Sequence, residues 1–208
     1  IVRDSTATIY LHNNMLDYNH SYYVTIDEGV LTLPDHSFHG ISKEHNWSFK
    51  TKDSAPTSTD TLIVDANGQG DFNTVQGALD FIPDFSQKQT VILIQAGDYE
   101  ELVYARNKTN VKIKGAGMDR TRVHYANNEV FNPHPLTVKT NEWPGTFPSR
   151  RAAFMLDNCS DILLEDLTIA TDLHGQAEGL LLNGERIALY SVHTVSYTHL
   201  RAHETKPN

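Results

Sequence analysis

Apolar and polar residues alternate along most of this chain, and one short stretch alone follows a helical rhythm. From Leu62 onward the segments "TVILIQAG", "NVKIKGAG", "DILLEDLTIATD" and "RIALYSVH" alternate with a period of two, the pattern of strands with one packed face. "AAFMLDN" and "EGLLLNG" precede the last two at a matching interval and set Phe154 opposite Leu180. Val91 recurs as Val111, and Ile162 as Ile187. Self-similarity at intervals of roughly 20 to 26 residues, without helices between the repeats, predicts a parallel β-helix. The helical stretch is "NTVQGALDFIPD": Val75, Leu79 and Ile82 share a face, Asn73 or Thr74 can cap the start, and Pro83 ends it. One short helix ahead of the first repeat predicts a cap over the open end of the solenoid. Residues 127–151, with Pro, Gly, Trp and Phe, interrupt the repeat. They read as a long loop leaving one face, and such loops commonly line binding clefts.

Residues 1–52 carry shorter β patterns. "SYYVTIDEGVLTL" sets Tyr23 and Thr25, then Val30 and Thr32, in strand-like positions around a turn at Asp27-Glu28-Gly29. "HNWSFKTK" puts Trp47 and Phe49 on one face, with Ser48 and Lys50 on the other. These predict part of a β-sandwich, with about three strands, too few to close one. The ending Trp47-Ser48-Phe49-Lys50-Thr51 resembles that of a bacterial immunoglobulin-like module. "DSAPTSTDT" has the composition of a linker. The expected organisation is a partial Ig-like module over 1–52, a linker over 53–60, a β-helix over 61–194, and a tail over 195–208.

Apolar residues make up 39% of the chain and charged residues 21%, proportions of a folded chain and not a disordered one. A net charge of −9 argues against a nucleic-acid partner, which calls for clustered Lys and Arg. A neutral or esterified polysaccharide would not be repelled. The single cysteine, Cys159, excludes an internal disulfide and a cysteine-rich zinc site; its apolar, strand-like setting predicts a buried thiol. No apolar run approaches the ~20 residues that cross a bilayer, so no membrane insertion is expected. The start, "IVRDSTATIYL", has no Met and no signal-peptide pattern, and is expected to be a truncation.

Several local patterns suggest chemistry and then lose it. "DANGQGD" places Asp65, Asn67, Gln69 and Asp71 like a partial calcium loop, but Gln76 stands where a bidentate Glu belongs, so a tight turn is expected. "GAGMDR" opens like a dinucleotide fingerprint, with Arg120 where the third Gly belongs and no helix after it. Glu165, Asp166 and Asp172 are candidates for paired acid–base work, but their setting predicts solvated turn carboxylates. His199 and His203 stand one helical turn apart, a zinc-ligand spacing.

Four stretches in order resemble the pectin methylesterase (pectinesterase) family in its bacterial secreted form: "VDANGQGDFNTVQGALDFIPD", "AGDYEELV", "FMLDNCSDILLEDLTI" and "DLHGQAEGLLLNGERIALYSVH". The resemblance runs from Leu62 to His193. It implies a mainly β chain: a right-handed parallel β-helix, incomplete here, preceded by part of an Ig-like β-sandwich module. It also implies a secreted or cell-surface hydrolase that removes methyl esters from pectin (homogalacturonan) and releases methanol, with no cofactor and no metal. In that family an aspartate attacks the ester, a second aspartate supplies and recovers the proton, glutamine amides hold the oxyanion, and an arginine orients the nucleophile. A carboxylate is a weak nucleophile, so positioning and oxyanion donors must supply much of the acceleration.

Carried over by position, Gln176 matches the family's cleft glutamine, a substrate and oxyanion contact; an amide ladder inside the solenoid is the other reading. Ala153 stands where the family often has a Thr or Ser touching the sugar. The Gln-Asp pair is expected beyond His193, and no Asp follows Asp172. No catalytic residue is therefore expected within the chain, which should be inactive as it stands. A pectate lyase or polygalacturonase would want a calcium-binding carboxylate cluster or an aspartate trio on consecutive repeats. A non-catalytic polysaccharide-binding β-helix would want neither. The stretch Val195–Thr205, "VSYTHLRAHET", resembles one reading frame of a transposase-type sequencing adapter. That predicts a non-native tail in which the spacing of His199 and His203 is accidental.

Overall fold

The computed structural model describes residues 2–3, 6–7, 16–32, 38–45, 47–128, 152–175 and 177–197. The chain divides into two compact units, Ile1–Ala55 and Pro56–Asn208.

In the first unit, β1 (Val2–Arg3) pairs antiparallel with β2 (Thr6–Ala7), and β3 (Ser21–Tyr23) with β4 (Ser48–Lys50). Tyr22 lies across from Phe49, and their rings stack with centroids 5.6 Å apart, a favourable cross-strand pair. Thr51 ties the ends together: its hydroxyl donates to Asp17 O at 2.7 Å and accepts from His20 N at 2.9 Å. The strand expected at Val30 and Thr32 does not form. Val30 instead donates its N–H back to Asp27 O at 3.2 Å, closing the turn through Gly29 at φ 85°, and its side chain is exposed. Among residues 16–32, 38–44 and 47–55 no side chain is fully buried.

The second unit is a solenoid of parallel strands: β5 (Thr61–Val64), β6 (Thr90–Ile94), β7 (Gly97–Glu100), β8 (Val103–Arg106), β9 (Thr109–Lys114), β10 (Thr121–Tyr125), β11 (Ala152–Thr171) and β12 (Glu178–Val195). The long strands β11 and β12 bend around three walls. On the first wall β5, β6, β9 and the middle of β11 and β12 stack, with Ile162 between Val111 and Ile187. On the second, β7 and β10 lead to Thr168–Thr171 of β11. On the third, β8 pairs with Phe154–Asp157, which pairs with Leu180–Asn183. The fold is mainly β, a right-handed parallel β-helix.

The predicted registers Phe154–Leu180 and Ile162–Ile187 hold. The Val91–Val111 repeat is off by one, because Thr90 pairs with Val111 and Val91 with Lys112. A slip of one residue reverses every side chain: Thr90 and Val111 point inward, whereas Val91 is half-buried.

The corners explain how an extended chain turns without helices. Asn107, Asn110, Asn158, Asp161 and Asp166 all take positive φ, between 51° and 61°. Asn and Asp enter this region at low cost. Successive corners stack: Asn158 Nδ2 donates to Asn107 Oδ1 at 2.7 Å. Arg186 also turns at φ 52° and is held there by a bidentate pair with Asp161, at 2.6 and 2.8 Å.

Helix α1 (Val75–Phe81) starts at Thr74, whose hydroxyl accepts from Gly77 N at 3.1 Å. It buries Val75, Ala78 and Leu79 against the inward face of the strands. The helix follows β5 and does not precede the first repeat, since β5 already pairs with β6. The inner core runs from Leu62 and Val64 through Ile92 and Ile113 to Phe154, Leu164 and Ile169. "DANGQGD" forms a turn in which Asp65 Oδ1 accepts from Asn67 N, and Asp71 Oδ2 from Ile63 N. "GAGMDR" is a turn between strands, closed by Arg120 N donating to Gly117 O. Cys159 is buried, as expected, and burial pushes its thiol pKa up. The insertion is described only at its edges, where Asn127 Nδ2 donates to Ala152 O at 2.9 Å. Residues 129–151, and the tail from 198 with His199 and His203, lie outside the described residues.

Candidate functional site

Of the residues singled out for function, Ala153 lies on the third wall, Glu165 and Asp166 at the end of the first, and Asp172 opens the segment 172–177 after the second. On β8, Val103 and Ala105 point into the core, so Tyr104 and Arg106 face outward. Phe154 and Leu156 are the inward residues of β11 here, so Ala153, Met155 and Asp157 share that outer face. Ala153 is fully buried. Its methyl carries no hydroxyl to offer a sugar.

Gln176 lies outside the described residues, but the chain on either side of it is anchored. Ala177 N donates to Gly175 O at 2.9 Å, and Tyr197 N to Ala177 O at 3.1 Å. The His174 and Tyr197 rings sit 4.0 Å apart, and Asn128 Nδ2 donates to His174 O at 3.3 Å. The segment begins at Asp172, whose N–H donates to Tyr125 O at 3.1 Å.

Asp172 is not a free turn carboxylate, as the sequence suggested. It accepts from Arg122 Nη2 at 2.7 Å and from His124 Nδ1 at 2.5 Å. Asp98 completes the group: its Oδ1 accepts from Arg122 Nη1 at 3.3 Å, and its Oδ2 lies 3.2 Å from His124 Nε2 without hydrogen-bond alignment. Glu165 and Asp166 also differ from expectation. Glu165 lies between Lys112 and Lys114, at 2.5 and 3.1 Å, and Asp166 is 3.0 Å from Lys114. The lysines, Lys112 first, hold the Glu165 carboxyl below its usual range. The parallel register causes this, placing Lys114 directly beside Glu165. The three acids thus form two separate ion-pair groups on different walls, not one acid–base pair. Among the described residues no group of His, Cys, Asp or Glu is arranged to hold a metal ion.

A further network was not singled out from the sequence. Asp157 is fully buried, yet its Oδ1 accepts from Asn183 Nδ2 at 2.6 Å and its Oδ2 from the Tyr104 hydroxyl at 3.2 Å. Arg106 Nε lies 3.2 Å from the same Oδ2. Arg106, Asp157 and Asn183 form one row across three turns. The only signal for it would have been the register between β8 and β11, and residues 127–151 interrupt the repeat that sets it.

A family model described as Pectinesterase matches residues 61–203. A pectinesterase of Arabidopsis thaliana is 30% identical over 141 residues, covering 66% of this chain and 34% of the relative. The carrot pectin methylesterase structure superposes with a TM-score of 0.51 at 24% identity, over 67% of this chain and 44% of that one. The pectin methylesterase PemA of Erwinia chrysanthemi gives 0.50 at 20% identity, over 68% and 44%. The chain therefore spans about a third of that curated relative's length. With a three-walled parallel β-helix and a family match over more than half of its residues, the chain belongs to the pectinesterase family.

Proposed function

We propose that the chain is the substrate-holding part of a carboxylic ester hydrolase that removes methyl esters from pectin and releases methanol. The pectinesterase match over residues 61–203 carries this reading. Gln176 supplies a substrate and oxyanion contact for the polymer, while Ala153, fully buried, offers it no hydroxyl. The nucleophilic and proton-transferring aspartates belong beyond His193, because no Asp follows Asp172. The Asp residues that do occur, where described, serve as ion-pair partners, turn formers and corner residues, among them Asp84, Asp157, Asp161 and Asp172. The chain as given is catalytically silent. The working protein acts outside the cell, where its polymer is; no helix among the described residues is long and apolar enough to cross a membrane.

The test is to read the source DNA across the Val195 codon. The proposal expects a Gln-Asp-Thr strand in place of "VSYTHLRAHET". If the DNA encodes the tail as written, the esterase reading fails and a non-catalytic pectin binder replaces it. That second reading has one observation in its favour: Asp157 and Asp172 are both tied into ion-pair and hydrogen-bond networks instead of facing a substrate.

A further inference from the structure

We propose that Arg106 forms a subsite for a free uronate carboxylate on the outer face of the third wall; this rests on the pectin reading above. Four other described cations, Lys108, Lys114, Arg122 and Arg186, each have more than one partner. Arg122 bridges Asp98 and Asp172, Arg186 engages Asp161 through two nitrogens and Glu185 through one, and Lys114 contacts Glu165 and Asp166. Arg106 has one contact, Nε to Asp157 Oδ2 at 3.2 Å, and its side chain is 34% exposed. The terminal fork of its guanidinium is therefore unengaged among the described residues. That fork matches a planar carboxylate with two parallel N–H···O bonds.

Asp157 does not depend on Arg106 alone. Tyr104 and Asn183 each donate to it, so a second carboxylate at the fork leaves the buried acid with its partners. The position suits a polymer contact. Arg106 is level with Asp157, four residues along β11 from Ala153, a distance of ~13 Å at the rise of a strand. At 34% exposure the Arg106 side chain, unlike the fully buried Ala153, is open to a sugar carboxylate. Against a chain charge of −9, a fixed cation offsets part of the repulsion a polyuronate meets. A methyl ester has no charge to pair with the fork. Arg106 thus favours polymers that already carry free carboxylates beside their esters.

The experiment measures binding of a uronate oligomer, unmethylated and fully methyl-esterified, to the full 208-residue chain and to R106Q and R106K. Thermal unfolding of each variant checks the fold. The expectation is that R106Q weakens the unmethylated oligomer about ten-fold and leaves the esterified one unchanged. R106K should recover only part of the loss, since an ammonium cannot make the fork. Equal weakening of both ligands, or none, in a folded R106Q overturns the subsite and leaves the pectin reading intact. Failure of the unaltered chain to bind either ligand overturns the pectin reading itself.

Discussion

Glu101 offers the sharpest test of how the helix is fastened to the solenoid. It is 7% exposed, and its two carboxylate oxygens accept from Val75 N at 2.8 Å and Gln76 N at 2.9 Å. These are N-terminal donors of α1 with no partner inside the helix. Replacing Glu101 by Ala orphans both, and each buried unsatisfied N–H costs ~1–3 kcal/mol. The predicted loss is about 2–6 kcal/mol, even though Thr74 still caps Gly77. E101Q keeps one acceptor and turns a donor toward the other N–H, for a loss of ~1–3 kcal/mol.

The pH dependence separates the two variants further. Burial raises the Glu101 pKa above 4.5, with the Gln76 and Val75 amides pulling the other way. The folded state then holds this proton more tightly than the unfolded state does. The stability it contributes is fully present below pH 4.5 and is lost as pH rises through the raised value. The gap between the parent chain and E101Q should therefore narrow from acid toward neutral pH. Urea unfolding at several pH values, with hydrogen exchange at the Val75 and Gln76 amides, measures both effects. An E101A chain within ~0.5 kcal/mol of the parent, or a gap that widens with pH, would refute this reasoning.

Other perturbations follow from the same geometry. Phe154→Ala empties a fully buried position at the centre of the core and should cost ~3–5 kcal/mol, read as a fall in the urea midpoint. Lys112 and Lys114 hold the Glu165 carboxyl below 4.5, and Lys108 holds Asp84 below 3.8. Stability from these pairs is present above those values and is lost as pH falls through the lowered ones, the opposite sign to Glu101. Acid unfolding of E165Q should accordingly be less steep than that of the parent chain. Cys159, buried with a raised pKa, should resist a thiol reagent in the native chain and react at once in denaturant; fast native labelling would show that this wall opens.

The strands were legible because period-two alternation is a local property, and Phe154 over Leu180 could be read from two adjacent repeats. The register of Thr90 with Val111 was not, since both neighbours of Val111 in the preceding strand suit a β position and only the inward face decides between them. The charge partners were hidden for a related reason. Glu165 meets Lys114, and Asp172 meets Arg122, across about 50 residues that include the insertion in the sequence repeat, so no local spacing reports the contact. Corner residues such as Asn107, Asn158 and Asp161 could have been flagged as turn formers. Arg186 at positive φ could not, because Asp161 holds it there from the turn below. For function, the order of motifs pointed to the family, whereas Arg106 stood out only once its neighbours were counted in space.

The most direct test incubates the 208-residue chain with methyl-esterified pectin and follows both binding and methanol. The proposed reading, with the nucleophile beyond His193, predicts saturable binding and no methanol above a protein-free control. Methanol release by the purified chain would contradict the assignment of the nucleophile beyond His193.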